Sequence, residues 1–116
     1  MDINIKRVYE APSSSDGKRV LVDRLWPRGL TKDKAKVDLW LKDISPSTQL
    51  RKWFNHDLAK WPEFQEKFRE ELDANPEPVE QLRQLAKDYK VTLVYGAKDE
   101  EHNDAVVILG YLKAVD

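Results

Sequence analysis

The sequence predicts an α/β fold: a single domain over residues 1–116, with a small, mainly parallel central sheet of about four strands packed by helices. Three observations carry this expectation. Val20-Leu21-Val22 is a short apolar run of the kind found in strands buried on both faces. Val91 to Tyr95 (VTLVY) is a second such run, rich in β-branched residues. Between them, apolar residues recur at helical spacing in three successive segments. Strands separated by helices build a sheet covered by helices.

Each element follows in order. Asp2 to Glu10 alternates, placing Ile3, Ile5 and Arg7 on one face of a first strand. Ala11 to Lys18 is a loop of Pro, Ser, Asp and Gly. Arg19 to Leu25 holds the second strand. Trp26-Pro27-Arg28-Gly29 ends it, because proline supplies no ladder donor and glycine permits a turn. Thr31 to Lys36 is charged and expected on the surface. Val37 to Ile44 reads as a third strand, although Trp40 interrupts its alternation.

Ser47 is placed to cap a helix whose apolar stripe is Leu50, Trp53 and Phe54. A second helix opens near Pro62, with Trp61, Phe64, Phe68 and Leu72 in step. Asn75-Pro76-Glu77-Pro78 breaks it. A third helix carries Val79, Leu82, Leu85, Ala86 and Tyr89. After the strand Val91 to Tyr95, Gly96 to Glu101 is a loop. Asn103 to Ala114 forms a terminal helix with Ala105, Ile108, Leu109 and Leu112 turned inward. The first connection is short, so the first two strands form either part of the parallel sheet or a hairpin.

Composition removes several function classes. The chain has no cysteine, which excludes disulfides, thiolate metal sites and cysteine nucleophiles. Two histidines leave little for a histidine-built metal site, and no metal or cofactor is expected. A net charge of -1 supplies no basic field to draw nucleic acid or an anionic membrane, so nucleic-acid binding is disfavoured. The longest apolar run, Ala105 to Leu109, is far too short for a bilayer. With no export signal at Met1 to Tyr9, a cytoplasmic location is expected. Neither a GxGxxG fingerprint nor a phosphate loop, GxSxG elbow or HExxH helix occurs.

In an open α/β sheet, ligands gather outside the carboxyl ends of the strands. Asp23, Arg24 and Arg28 follow the second strand, and Lys98, Asp99 and Asn103 follow the last one. Arginine offers the planar fork that grips phosphate or carboxylate, and a helix N-terminus favours an anion. These residues therefore form a candidate anion site, with Trp26 or Tyr95 as a stacking face. The plainer alternatives are an ion pair at Asp23-Arg24 and helix caps at Asp99 or Asn103. His56 and Asp57 are the candidate acid–base pair, since a carboxylate can fix an imidazole tautomer. The alternative there is a helix end at His56 and a turn cap at Asp57.

Taken jointly, DRLWPRG at Asp23 to Gly29, LWLKDISPS at Leu39 to Ser47, RKWFNHD at Arg51 to Asp57, KWPEF at Lys60 to Phe64 and LVYGAKDEEHNDA at Leu93 to Ala105 resemble one known group. They are similar to the YeaO-like branch of the bacterial proteins grouped as domain of unknown function 488. The resemblance spans nearly the whole chain and brings no established activity with it. It implies an Asp-x-Arg-like end to the second strand, matched here by Asp23-Arg24. It also implies a Cys-His-Arg-like step after the last strand, where Glu101-His102-Asn103 stands. Without the cysteine, thiol chemistry cannot operate in this chain. Some members bear a MarR-type regulator label, but no helix-turn-helix pair or basic recognition face is visible here.

The expected function is binding of a small anionic, nucleotide- or phosphate-like ligand. Arg24 and Arg28 would hold the anion, with Lys98 assisting. Were there catalysis, His56 with Asp57 and Asp23 would serve it, as hydrolysis or glycosyl transfer. The rival is a non-catalytic regulatory or protein-interaction domain.

Overall fold

The computed structural model describes residues 1–114. Strands β1 (Ile3–Arg7), β2 (Lys18–Leu21), β3 (Leu39–Trp40) and β4 (Val91–Tyr95) form one sheet in the order β1-β4-β2-β3. Every neighbouring pair is parallel. The most apolar run takes the most enclosed place: all five residues of β4 are buried between β1 and β2. In register, Leu93 lies between Ile5 and Val20. The first two strands are therefore not a hairpin, since β4 separates them.

Two expected strands are shorter than their apolar runs. The second ends at Leu21, although the Val22 N–H still reaches the Val94 carbonyl at 3.2 Å. The third, expected over Val37 to Ile44, contracts to Leu39–Trp40. Asp38 and Leu41 N–H groups bond Arg19 and Leu21 carbonyls at 2.8 and 2.9 Å, and the chain then coils into a 3-10 turn at Lys42–Ile44.

Helices α1 (Lys32–Ala35), α2 (Thr48–Phe54), α3 (Trp61–Asp73), α4 (Pro76–Asp88) and α5 (Asp104–Ala114) complete the described elements. The charged segment at Thr31 to Lys36 contains α1, capped by the Thr31 hydroxyl, which accepts from the Lys34 N–H at 3.2 Å. Ser47 caps α2, its hydroxyl accepting from the Leu50 N–H at 3.1 Å. Glu71 of α3 in turn accepts from the Ser47 N–H and hydroxyl at 2.8 and 2.6 Å, tying the two helices together. Pro62 lies in the first turn of α3 and Pro76 opens α4, so the Asn75-Pro76 break is only a corner between helices.

Strand pleating sends alternate residues to opposite faces. Val20, Val22, Leu93 and Tyr95 face the larger core with Phe68 and Ile108. Phe54, Phe64, Phe68 and Leu82 are buried, and Trp53 and Leu85 pack partly buried against them. The other face is thinner: Val8, Leu21 and Val94 meet Ala35, Trp26, Leu30 and Val37. Arg19 also points this way and is buried. Its guanidinium donates to the Ala35 carbonyl at 2.8 and 3.1 Å and to Asp16 at 2.8 Å. No helix among the described residues is long and apolar enough to cross a membrane.

Candidate functional site

Because β2 and β4 are neighbours, the segments leaving their carboxyl ends meet. Asp23 Oδ2 accepts from the Gly96 N–H at 2.8 Å. A Cβ at Gly96 would stand 3.2 Å from that oxygen, a tight approach that accounts for glycine here. Asp104, the first residue of α5, lies beside Asp23. Burial, then the neighbouring Asp23 carboxyl, push the Asp104 carboxyl well above the ordinary carboxylate range. The pair therefore resists carrying two negative charges.

The loop before α5 is built by its own side chains. Asp99 Oδ1 accepts from the Glu101 and His102 N–H groups at 2.9 and 3.1 Å. Its other oxygen meets His102 Nδ1 at 2.9 Å. The Glu101 N–H is the main cause holding Asp99 below the usual range; partial burial opposes it and His102 adds to it. A carboxylate at Nδ1 favours the tautomer with its proton there and leaves Nε2 as the free acceptor. The His102 ring also stands edge-on to Trp61, with centroids 5.1 Å apart.

A cavity of about 420 Å³ opens over this meeting point. Arg24, Arg51 and Lys52 bring three cationic groups to its lining, and Asp23 and Asp104 bring the acidic pair. The chain's two histidines, His56 and His102, both line it. Phe54 and Phe64, stacked at 4.4 Å, supply an aromatic wall. The Arg24 guanidinium reaches the Ser45 and Pro46 carbonyls only at 3.4 Å, the long end of hydrogen bonding. The buried Arg51 Nε has no partner.

The structure brings together four residues singled out in the sequence: Asp23, Arg24, His56 and Asn103 all line the cavity. Arg28 and Lys98 are exposed and outside that lining, so the cation cluster is Arg24 with Arg51 and Lys52 rather than with Arg28 and Lys98. Trp26 packs edge-on to Trp40 and donates to the Leu30 carbonyl at 2.8 Å, on the thin face of the sheet. Tyr95 is enclosed in the larger core, only 2% exposed. The aromatic rings that line the cavity are those of Phe54 and Phe64, with the two imidazoles. Asp57 accepts from the Ala59 N–H at 3.0 Å, capping the 3-10 turn Leu58–Lys60. The aspartate–histidine contact expected at His56 and Asp57 occurs at Asp99 and His102 instead.

The α5 N-terminus is also less open than expected. Asp104 Oδ1 takes the Ala105 N–H at 2.8 Å, and Asn103 Oδ1 takes the Val106 N–H at 3.0 Å. Those donors are therefore occupied, and the positive character of the cavity comes from side chains. Sequence reasoning does not single out Arg51, Lys52 or Asp104, and it names His102 only as part of Glu101-His102-Asn103 without a role. Arg51 and Lys52 looked like the polar face of an amphipathic helix. Asp104 has one legible signal, an acidic residue opening the helix that follows the last strand's loop.

The chain matches, over residues 2–115, the family described as "Inactive DUF488-N3 subclade". It is 41% identical over 115 residues to the uncharacterised protein YeaO of Escherichia coli K12, covering 99% of this chain and 100% of that one. It is 39% identical over 106 residues to the uncharacterised protein Rv3073c of Mycobacterium tuberculosis H37Rv, covering 91% of this chain and 89% of that one. The same figures hold for the uncharacterised Mb3100c of Mycobacterium bovis. No solved structure matches. With that near-complete coverage, the chain belongs to the DUF488 family, in its YeaO-like branch.

Proposed function

We propose that this protein binds a small anionic, nucleotide- or phosphate-like ligand in the cavity beyond β2 and β4, and holds it without turning it over. One observation carries the reading. Arg24, Arg51 and Lys52 share a lining with the stacked Phe54 and Phe64. Cations suit the anion and the aromatic wall suits a planar ring. Even fully ionised, Asp23 and Asp104 bring two negative charges against the three cations of the lining. The family description "inactive" favours binding over chemistry. Calorimetric titration with inorganic phosphate and with adenosine monophosphate tests this. Saturable binding is expected for both, at least tenfold weaker in Arg51→Ala. Absence of heat up to millimolar concentrations of either would contradict it.

A catalytic reading has its own support in the Asp23–Asp104 pair beside His102. A carboxyl raised by burial, near an imidazole oriented by Asp99, is what acid–base hydrolysis or glycosyl transfer requires. Release of base or phosphate from nucleotides, abolished in Asp104→Asn, would favour this reading over silent binding.

A further inference from the structure

We infer that the ligand of this cavity carries neighbouring hydroxyl groups as well as its anion, as a ribose phosphate or ribonucleotide does, and that Asp23 and Asp104 receive those hydroxyls. The inference rests on the anion-binding reading and narrows its ligand class. A cavity built for a bare anion has no use for carboxyls in its wall, since they repel what the arginines attract. Here two carboxyls share a lining with Arg24, Arg51 and Lys52.

Both carboxyls are fixed in place. Asp23 is held by the Gly96 N–H at 2.8 Å and Asp104 by the Ala105 N–H at 2.8 Å. Each bond uses one oxygen, and an oxygen has more than one lone pair, so acceptor capacity remains on each side chain. Two such carboxyls on one lining suit a pair of neighbouring hydroxyls, each of which donates to one of them.

Size agrees. About 420 Å³ lies within the range of roughly 300–1,000 Å³ typical of small-molecule sites and well beyond a lone phosphate ion. The ligand so defined is bipolar. Its anion meets the arginines, of which Arg51 has a buried N–H in need of an acceptor. Its hydroxyls meet the acidic pair, and any attached ring lies against Phe54 or His56, whose centroids are 6.2 Å apart.

Deleting the hydroxyls from the ligand tests this on the unaltered protein. Calorimetry would compare adenosine monophosphate, its 2′,3′-dideoxy form, ribose 5-phosphate and inorganic phosphate. Adenosine monophosphate and ribose 5-phosphate should bind, and the dideoxy form should bind about tenfold or more weakly than adenosine monophosphate. In Asp23→Asn and Asp104→Asn that difference should shrink, which separates a direct contact from a general effect of the ring pucker. Equal binding of the two adenosine ligands to the unaltered protein overturns the inference and leaves the anion reading standing. Loss of binding for all four overturns both.

Discussion

Asp23 follows the second strand of the sheet and Asp104 opens the last helix, yet the two carboxyls meet in the lining of one cavity. The contact follows from topology. The strand Val91–Tyr95 inserts beside Lys18–Leu21, and the Gly96 N–H at its end holds Asp23 at 2.8 Å. The helix that follows then begins where the second strand ends.

That pair has a consequence for stability against pH. Burial, and next the Asp23 charge, raise Asp104 above its ordinary value of 3.8. At a pH above 3.8 the unfolded chain has released this proton while the folded chain retains it, so stability falls as pH rises towards the raised value. Asp104→Asn removes the ionisable group and keeps an acceptor for the Ala105 N–H. Denaturant unfolding from pH 4 to 8 should show this component of the decline in the native protein and its loss in the variant. Parallel profiles would show that Asp104 titrates normally.

Phe68 is fully enclosed, with Phe64 at 5.8 Å beside it. Phe68→Ala should cost roughly 3–5 kcal/mol. Urea unfolding reads this, and a loss under about 1 kcal/mol, within the ordinary scatter of surface sites, would mean that the helical layer is loosely packed.

On the opposite face, Arg19 is 3% exposed and engages Asp16 and the Ala35 carbonyl. Burial by itself would raise Asp16. The Ser13 N–H, Arg19 and Lys6 together outweigh it and hold this carboxyl below 3.8. Its stabilising contribution is thus present above that value and lost as pH falls through the lowered one. Arg19→Ala removes one of three partners of a buried carboxylate, leaving Lys6 and the Ser13 N–H, and should cost about 1.5–3 kcal/mol at neutral pH. The gap between native protein and variant should narrow in acid, where Asp16 is protonated in both.

The elements that local chemistry dictates were the readable ones. Val91 to Tyr95 could only be an inner strand, and Ser47 and Pro62 mark helix starts through hydroxyl and ring constraints that need no tertiary partner. The third strand was over-read because Val37, Leu39 and Leu41 alternate. Its length is set by its neighbour β2, whose ladder gives out at Leu21. Arg19 looked like a strand boundary because its burial depends on Asp16 and Ala35, contacts a linear pattern does not reveal. The same holds at the cavity. Strand-end logic located Asp23, Arg24 and Asn103, whereas Arg51 enters the cavity through the packing of the helix Thr48–Phe54.

Gly17 offers a backbone test. Its φ is +66°, and a Cβ there would lie 2.2 Å from the Lys90 carbonyl oxygen, the same oxygen that accepts from the Lys18 N–H at 2.8 Å. Gly17→Ala should cost at least about 1–3 kcal/mol from conformation alone and shift the entry to the second strand. An unchanged melting temperature would show that this turn relaxes freely.

Arg24, Arg51 and Lys52 line the cavity and Arg28 is exposed outside it, so the proposed anion site needs the first three and not Arg28. Thermal melting against rising phosphate, at ionic strength held constant with chloride, separates these groups. The native protein and Arg28→Ala should gain stability together, by about 2.7 kcal/mol at a hundredfold the dissociation constant. Arg24→Ala and Arg51→Ala should remain folded and lose most of that gain. An equal response in all four proteins would contradict the site and reduce the effect to general salt stabilisation.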